Sequence, residues 1–155
     1  MTKHSVLFVC LGNICRSPMG EAILHDLATK KGVRDQWVID SAGTGGHEAG
    51  SRIYDGAQRV LRKYGIKYEH IARQITPQDF DKFDLILGFD TDNIRNLERI
   101  KPKNSKAQIR LVNYYNEKRK NKNIEDPWYP DTNEAFEAVY TDCLEACQTL
   151  LNENK

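Results

Sequence analysis

Apolar positions along this chain alternate between two rhythms. Val6-Leu7-Phe8-Val9-Cys10 is a short unbroken apolar run, the mark of a strand buried on both faces. From Pro18 to Lys31, Ile23, Leu24, Leu27 and Ala28 recur at helical spacing. Ser17 is a natural N-cap for that helix, Pro18 suits its first turn, and Gly32 is a natural stop. Trp37 to Asp40 reads as a second strand, ended by the glycine-rich Ser41-Ala42-Gly43-Thr44-Gly45-Gly46. Asp55 can cap a helix that runs to Tyr64 and stops at Gly65. Asp84 to Leu87 predicts a third strand, Asn93 to Arg99 a helix, and Gln108 to Val112 a fourth strand. The last helix, predicted from Asn133 to Asn152, carries Phe136, Val139, Cys143, Cys147 and Leu150 on one face. Strands alternating with helices predict an α/β fold, a parallel sheet with helices on both faces. With no linker, repeat or low-complexity tract, residues 1–155 read as a single domain.

Composition narrows the function classes. A chain of 155 residues builds a core without disulfide help, and 39% hydrophobic with 29% charged residues is a globular balance. Lys plus Arg total 23 against 22 for Asp plus Glu, so nothing in the overall charge favours nucleic acid or a membrane surface. No apolar run approaches the ~18 residues of a membrane span. Met1-Thr2-Lys3-His4 leads straight into the first strand with no secretory apolar region, so a cytoplasmic protein with reduced thiols is expected. Cys10, Cys15, Cys143 and Cys147 form no C-x-x-C pair, which argues against a zinc ribbon; no metal or cofactor is expected. Cys143 and Cys147 lie on the apolar face of the last helix and read as core. Charge is unevenly spread: Arg99 to Lys122 holds nine basic residues and one acid, and Glu125 to Asn154 holds eight acids and no Lys or Arg. That pattern is either two solvated faces or an acidic docking rim.

The chemistry concentrates in Cys10-Leu11-Gly12-Asn13-Ile14-Cys15-Arg16-Ser17-Pro18. Cys10 ends the first strand, and ligands in open α/β sheets bind beyond the carboxyl ends of strands. A short loop entering a helix turns successive N–H groups inward and, with the helix dipole, makes an anion cradle. Gly12 and Asn13 tolerate the left-handed backbone such a loop needs. Arg16 adds a planar fork for two oxygens of a tetrahedral oxyanion. A cysteine at the floor of this cradle favours thiolate and is placed for in-line attack on phosphorus. Ser17 can donate a hydrogen bond to its sulfur. Ester cleavage also needs an acid for the leaving oxygen and a base for water. Asp126, in the stiff aromatic loop Asp126-Pro127-Trp128-Tyr129-Pro130-Asp131, is the candidate; the alternative is a turn aspartate ahead of the last helix.

These two segments, at this chain length, resemble the low-molecular-weight protein tyrosine phosphatases. The resemblance extends through Asp40-Ser41-Ala42-Gly43-Thr44, Ala72-Arg73-Gln74-Ile75-Thr76, Asp79-Phe80 and Phe83-Asp84. It implies a sheet of order 2-1-3-4, with the switch point beside the loop that begins at Cys10. It implies hydrolysis of phosphotyrosine and aryl phosphates through a phosphocysteine, with inorganic phosphate as product or inhibitor. Cys10 is then the nucleophile, and Arg16 with the loop Leu11, Gly12, Asn13, Ile14, Cys15, Arg16 and Ser17 binds phosphate. Asp126 is acid and then base. Asn13 is held by a network with Ser17, Ser41 and His70. Cys15 can form a reversible, peroxide-induced disulfide with Cys10. Leu11, Ile14, His47, Trp128 and Tyr129 form the substrate pocket. The expected state is a monomer, with a weak dimer as the alternative.

The chain departs from the family pattern at His47, where mammalian members carry an aromatic. It departs also at Trp128, where Tyr is usual, and at Leu87-Gly88-Phe89-Asp90, where Met often precedes the Asp. These changes leave the pocket chemistry intact and peptide preference open. The nearest rival is a thiol-dependent arsenate reductase on the same scaffold. It needs two further cysteines just after the third strand, and Phe80 to Leu97 contains none. A protein-arginine phosphatase is similar too, but has Thr where this chain has Ile14. A non-catalytic phosphate-binding module would need Cys10 or Asp126 to be missing.

Overall fold

The computed structural model describes residues 3–153. Four strands form one parallel sheet: β1 (His4–Cys10), β2 (Trp37–Gly43), β3 (Leu85–Gly88) and β4 (Gln108–Leu111), in the order β2-β1-β3-β4. Five α-helices accompany them: α1 (Arg16–Lys30), α2 (Asp55–Lys63), α3 (Asp79–Lys82), α4 (Thr91–Ile100) and α5 (Asn133–Glu153). The topology is the one the resemblance implies. Met1, Thr2, Asn154 and Lys155 lie outside the described residues.

The unbroken apolar run of β1 fills two cores at once, because its side chains alternate between faces. Val6 and Phe8 pack with residues of α1, α2 and α5. Leu7 and Val9 pack with Phe80, Phe83 and Leu97 on the other face. Gly20 lets α1 approach the sheet closely: a Cβ there would lie 2.6 Å from Phe8 Cδ1. Cys143 and Cys147 are buried in the core, as their spacing predicts.

Several boundaries differ from the sequence reading, and three of them have a plain physical reason. Helix α1 begins at Arg16, with Cys15 at the cap position and no side-chain cap. Ser17 is therefore inside the helix, and its hydroxyl is engaged elsewhere. Strand β2 continues to Gly43, because parallel pairing with β1 extends until Cys10 lies opposite Gly43. Asp55 is the first residue of α2, which Tyr54 precedes at the cap position. Helix α3 and the 3-10 turns Arg34–Gln36 and Val112–Tyr115 are too short to leave a period in the sequence.

Arg73 ties the end of β2 to α3. Its guanidinium donates to Asp40 Oδ2 at 3.0 Å and to Asp79 Oδ2 at 2.9 Å. Burial alone would raise the Asp79 pKa, but bonds from Arg73 and from Thr76 N–H hold it below the usual carboxylate value. A depressed carboxylate stabilises the fold above its unfolded pKa of about 3.9, and that contribution disappears as pH falls through the lower folded value. Asp79→Asn is expected to cost about 1–3 kcal/mol at neutral pH. The gap from wild type should close on acidification below the carboxylate range, as measured by urea unfolding across pH.

Candidate active site

Beyond Cys10 the chain turns through residues 11–15 and enters α1 at Arg16. Among the described residues, the backbone N–H groups from Leu11 to Arg16 have no protein acceptor. Unpaired donors at a helix start are suited to holding an anion, and five of these six residues line a cleft. The cleft has a volume of about 300 Å³. Cys10, Leu11, Gly12, Ile14, Cys15 and Arg16 line its floor, and His47, Asp126, Trp128 and Tyr129 its rim. All five residues predicted to wall the pocket are there. Asn13 and Ser17 are not: both are fully buried behind the loop and act on its shape and on the sulfur.

The Cys10 sulfur lies 3.0 Å from Ser17 Oγ and accepts from Ser17 N–H at 3.4 Å. Ser17 Oγ itself accepts from Asn13 Nδ2 at 2.7 Å, so its own proton is free to point at the sulfur. Burial, then the Cys10 sulfur and Asp126, push the Cys15 thiol far above its ordinary value. Cys15 is therefore a thiol beside the reactive position and not a competing thiolate.

Asn13 occupies the left-handed region, with φ 60°. Four bonds hold it there. Nδ2 donates to Ser17 and, at 3.0 Å, to Ser41 Oγ. Oδ1 accepts from Arg73 N–H at 3.0 Å and faces His70 Nε2 at 2.8 Å. The predicted network of Asn13, Ser17, Ser41 and His70 is thus assembled. Its base is a residue that sequence reasoning missed: Glu21, buried on α1, accepts from Ser41 Oγ at 2.6 Å and from the Tyr68 hydroxyl, and lies 3.1 Å from His70 Nδ1. The available signal was its place four residues after Ser17, on the same face of α1.

Arg16 is buried and aimed by two acceptors, Asp90 Oδ2 at 2.7 Å and the Ile124 carbonyl at 2.9 Å. Burial works against its charge, but the Cys10 sulfur, Asp90 and Asp126 hold its pKa above the ordinary value. Asp90 also caps α4, accepting from Asn93 N–H at 2.8 Å. Its signal was an acid just past the third strand, at the switch-point crevice. Asp126 Oδ2 stands 3.7 Å from Arg16 Nη2, and Asp126 Oδ1 accepts from Trp128 N–H at 3.1 Å. The carboxylate thus faces the cradle and is not only a turn residue.

The acidic block lies mostly at the surface, with Asp142 alone of its acids buried, and three of its members are paired. Glu145 pairs with Lys118 at 3.2 Å, Asp142 with Arg119 at 3.1 Å and Glu137 with Lys63 at 2.5 Å. These pairs use charges that an acidic docking rim would need.

A buried, doubly anchored arginine and a facing carboxylate above a cysteine floor place the site among known enzymes. Residues 5–155 match the family described as low molecular weight phosphotyrosine protein phosphatase. The chain belongs to that family. The family's member in Mus musculus is 48% identical over 153 residues, covering 97% of this chain and 96% of the relative. Among solved structures, Primo-1 superposes with a TM-score of 0.91 at 43% identity, covering 97% of each chain. A Drosophila arginine phosphatase superposes with a TM-score of 0.91 at 37% identity, again covering 97% of each chain. For this member of the phosphatase family, Asp90→Ala should uncap α4 and release one side of Arg16. The expected outcome is a stability loss of about 1 kcal/mol and inhibition by inorganic phosphate weakened about tenfold, or ~1.4 kcal/mol. Asp90→Asn keeps a good cap and should recover the stability but not the phosphate affinity.

Proposed function

We propose that the protein hydrolyses phosphotyrosine and other aryl phosphates by two displacements at Cys10. The observation that carries this reading is convergence: the Cys10 sulfur, the loop N–H groups, Arg16 and Asp126 all meet at one cleft. In the first step the thiolate attacks phosphorus in line, the bond from phosphorus to the aryl oxygen breaks, and Asp126 donates its proton to the leaving oxygen. The phosphoryl oxygens stay against the N–H groups and Arg16, which meet the charge spread in the transition state. In the second step Asp126, now a carboxylate, takes a proton from water as that water attacks phosphorus. The bond from sulfur to phosphorus breaks, and the Ser17 hydroxyl stabilises the thiolate that leaves.

The walls suit an aryl ester. Trp128 and Tyr129 are 43% and 81% exposed at the rim, free to cover an aromatic ring, and apolar Ile14 forms part of the floor. That floor supports phosphotyrosine over phosphoarginine. The arsenate reductase reading lacks a relay, since Cys143 and Cys147 are buried in the core and do not line the cleft. Both Cys10 and Cys15 line it as free thiols. That arrangement supports the peroxide switch: peroxide oxidises the Cys10 thiolate to a sulfenic acid, the Cys15 thiol displaces water to form a disulfide, and an external thiol reduces it. Among the described residues no helix is long and apolar enough to cross a membrane. A reducing cytoplasm is the compartment that suits a free-thiol nucleophile.

Hydrolysis of p-nitrophenyl phosphate in EDTA and a thiol reductant is the direct test. Wild type should turn over and Cys10→Ser should not, while inorganic phosphate still binds the variant. Turnover by Cys10→Ser at a substantial rate would remove Cys10 as nucleophile. Asp126→Ala should slow the reaction by roughly 10²–10⁴-fold, most for the poorest leaving groups. Phosphotyrosine should be preferred over phosphoarginine by the wild type.

A further inference from the structure

The segment that carries Asp126 is fixed at two points, one on each side. Upstream, Ile124 N–H donates to the Phe89 carbonyl at 2.8 Å, and the Ile124 carbonyl accepts from Arg16 at 2.9 Å. Downstream, Asp131 Oδ2 accepts from the Tyr54 hydroxyl at 2.9 Å. Asp131 N–H donates to the Pro127 carbonyl at 2.9 Å, which closes the intervening turn. Asp131 itself sits at φ 49°, a left-handed geometry that Asp tolerates better than most residues.

Tyr54 does more than make that hydrogen bond. Its ring meets Trp128 edge-on, with centroids 4.8 Å apart and an interplanar angle of 63°. Its other neighbour is Phe136 of α5, stacked at 5.9 Å. Its backbone N–H donates to the carbonyl of Ile14 at 2.9 Å, inside the phosphate loop. One residue is therefore bonded to the loop that holds phosphate, to the far end of the loop that holds the acid, and to the aromatic wall between them. It does not itself line the cleft.

We propose that Tyr54 is a positioning residue that sets the height and tilt of Asp126 and Trp128 over the phosphate loop, an inference that rests on the acid role assigned to Asp126 above. The upstream anchor fixes only where the acid loop starts. Residues 125–130 lie between the two anchors, so the downstream anchor sets how the loop stands over the cradle while Asp126 itself lies 3.7 Å from Arg16. A general acid must stay within hydrogen-bond reach of the leaving oxygen. A displacement of about 1 Å costs on the order of 10²-fold in rate.

The test uses Tyr54→Phe, which keeps the ring contacts and loses the bond to Asp131, and Tyr54→Leu, which loses both. Each is assayed with a series of aryl phosphates of graded leaving-group pKa, beside wild type, Asp126→Ala and the double variant Tyr54→Leu/Asp126→Ala. Tyr54→Leu should lower kcat/KM by roughly 10- to 100-fold for the poorest leaving group and only severalfold for the best. Tyr54→Phe should show the same trend with smaller losses. Inhibition by inorganic phosphate should stay at the wild-type level in both, since the phosphate loop keeps its backbone bond to residue 54. The double variant should be no slower than Asp126→Ala alone, because both changes remove one function. Equal losses across leaving groups, weakened phosphate inhibition, or multiplying losses in the double variant would each overturn the positioning role. If Asp126→Ala itself slows all leaving groups equally, the acid assignment fails first and this inference falls with it.

Discussion

The left-handed backbone of Asn13 is the constraint on which the site depends. A loop that turns its N–H groups toward one point cannot also satisfy them with its own carbonyls, and it forces one non-glycine residue to positive φ. Such a conformation persists only when its surroundings over-determine it. Here they do: each side-chain atom of the Asn13 amide meets two partners, drawn from α1, β2 and the segment that holds His70 and Arg73. Ser17 links that scaffold to the chemistry, since the hydroxyl that accepts from Asn13 is the one beside the Cys10 sulfur. Strain in the loop and the hydrogen bond to the Cys10 sulfur are thus held by one network, with Glu21 buried at its base.

The site's charges are balanced in layers. Arg16 is buried, which alone would be costly, and Asp90 and the Ile124 carbonyl meet it on the protein side. Asp126 stands farther off, 3.7 Å from the guanidinium. An arginine held this way lines the cleft in a fixed orientation. The same residue anchors the upstream end of the loop that bears Asp126, so the loop after Cys10 and the loop of Asp126 share one support. Tyr54 is the matching support downstream, tied to the phosphate loop through its backbone and to the acid loop through its side chain.

Much of this was legible in the sequence. The unbroken apolar run from Val6 to Cys10 marked a central strand, and the Gly-Asn pair followed by Arg-Ser-Pro marked a turn into a helix. Those features are local: they depend on which residues stand next to one another along the chain, and burial on both faces of β1 leaves no other reading. The wall residues Leu11, Ile14, His47, Trp128 and Tyr129 followed from the resemblance, and they do line the cleft. By residue type Ser17 suits a helix cap and a hydrogen bond to the sulfur equally well, and the sulfur 3.0 Å away shows that its hydroxyl takes the second role.

By itself, then, the sequence determined the strand that ends at Cys10, the turn into a helix after it, and the aromatic loop that bears Asp126, because periodicity and turn chemistry are properties of neighbours. Only the tertiary structure decided what aims them. Asp90 reaches Arg16 across 74 residues, Tyr54 reaches Asp131 across 77, and Glu21 closes the Asn13 network through Ser41 and Tyr68. A polar side chain announces in sequence that it needs a partner. Which partner it finds depends on the order in which four parallel strands lie side by side. That order also brings the end of β1 beside the end of β3, and so places Asp90 against Arg16.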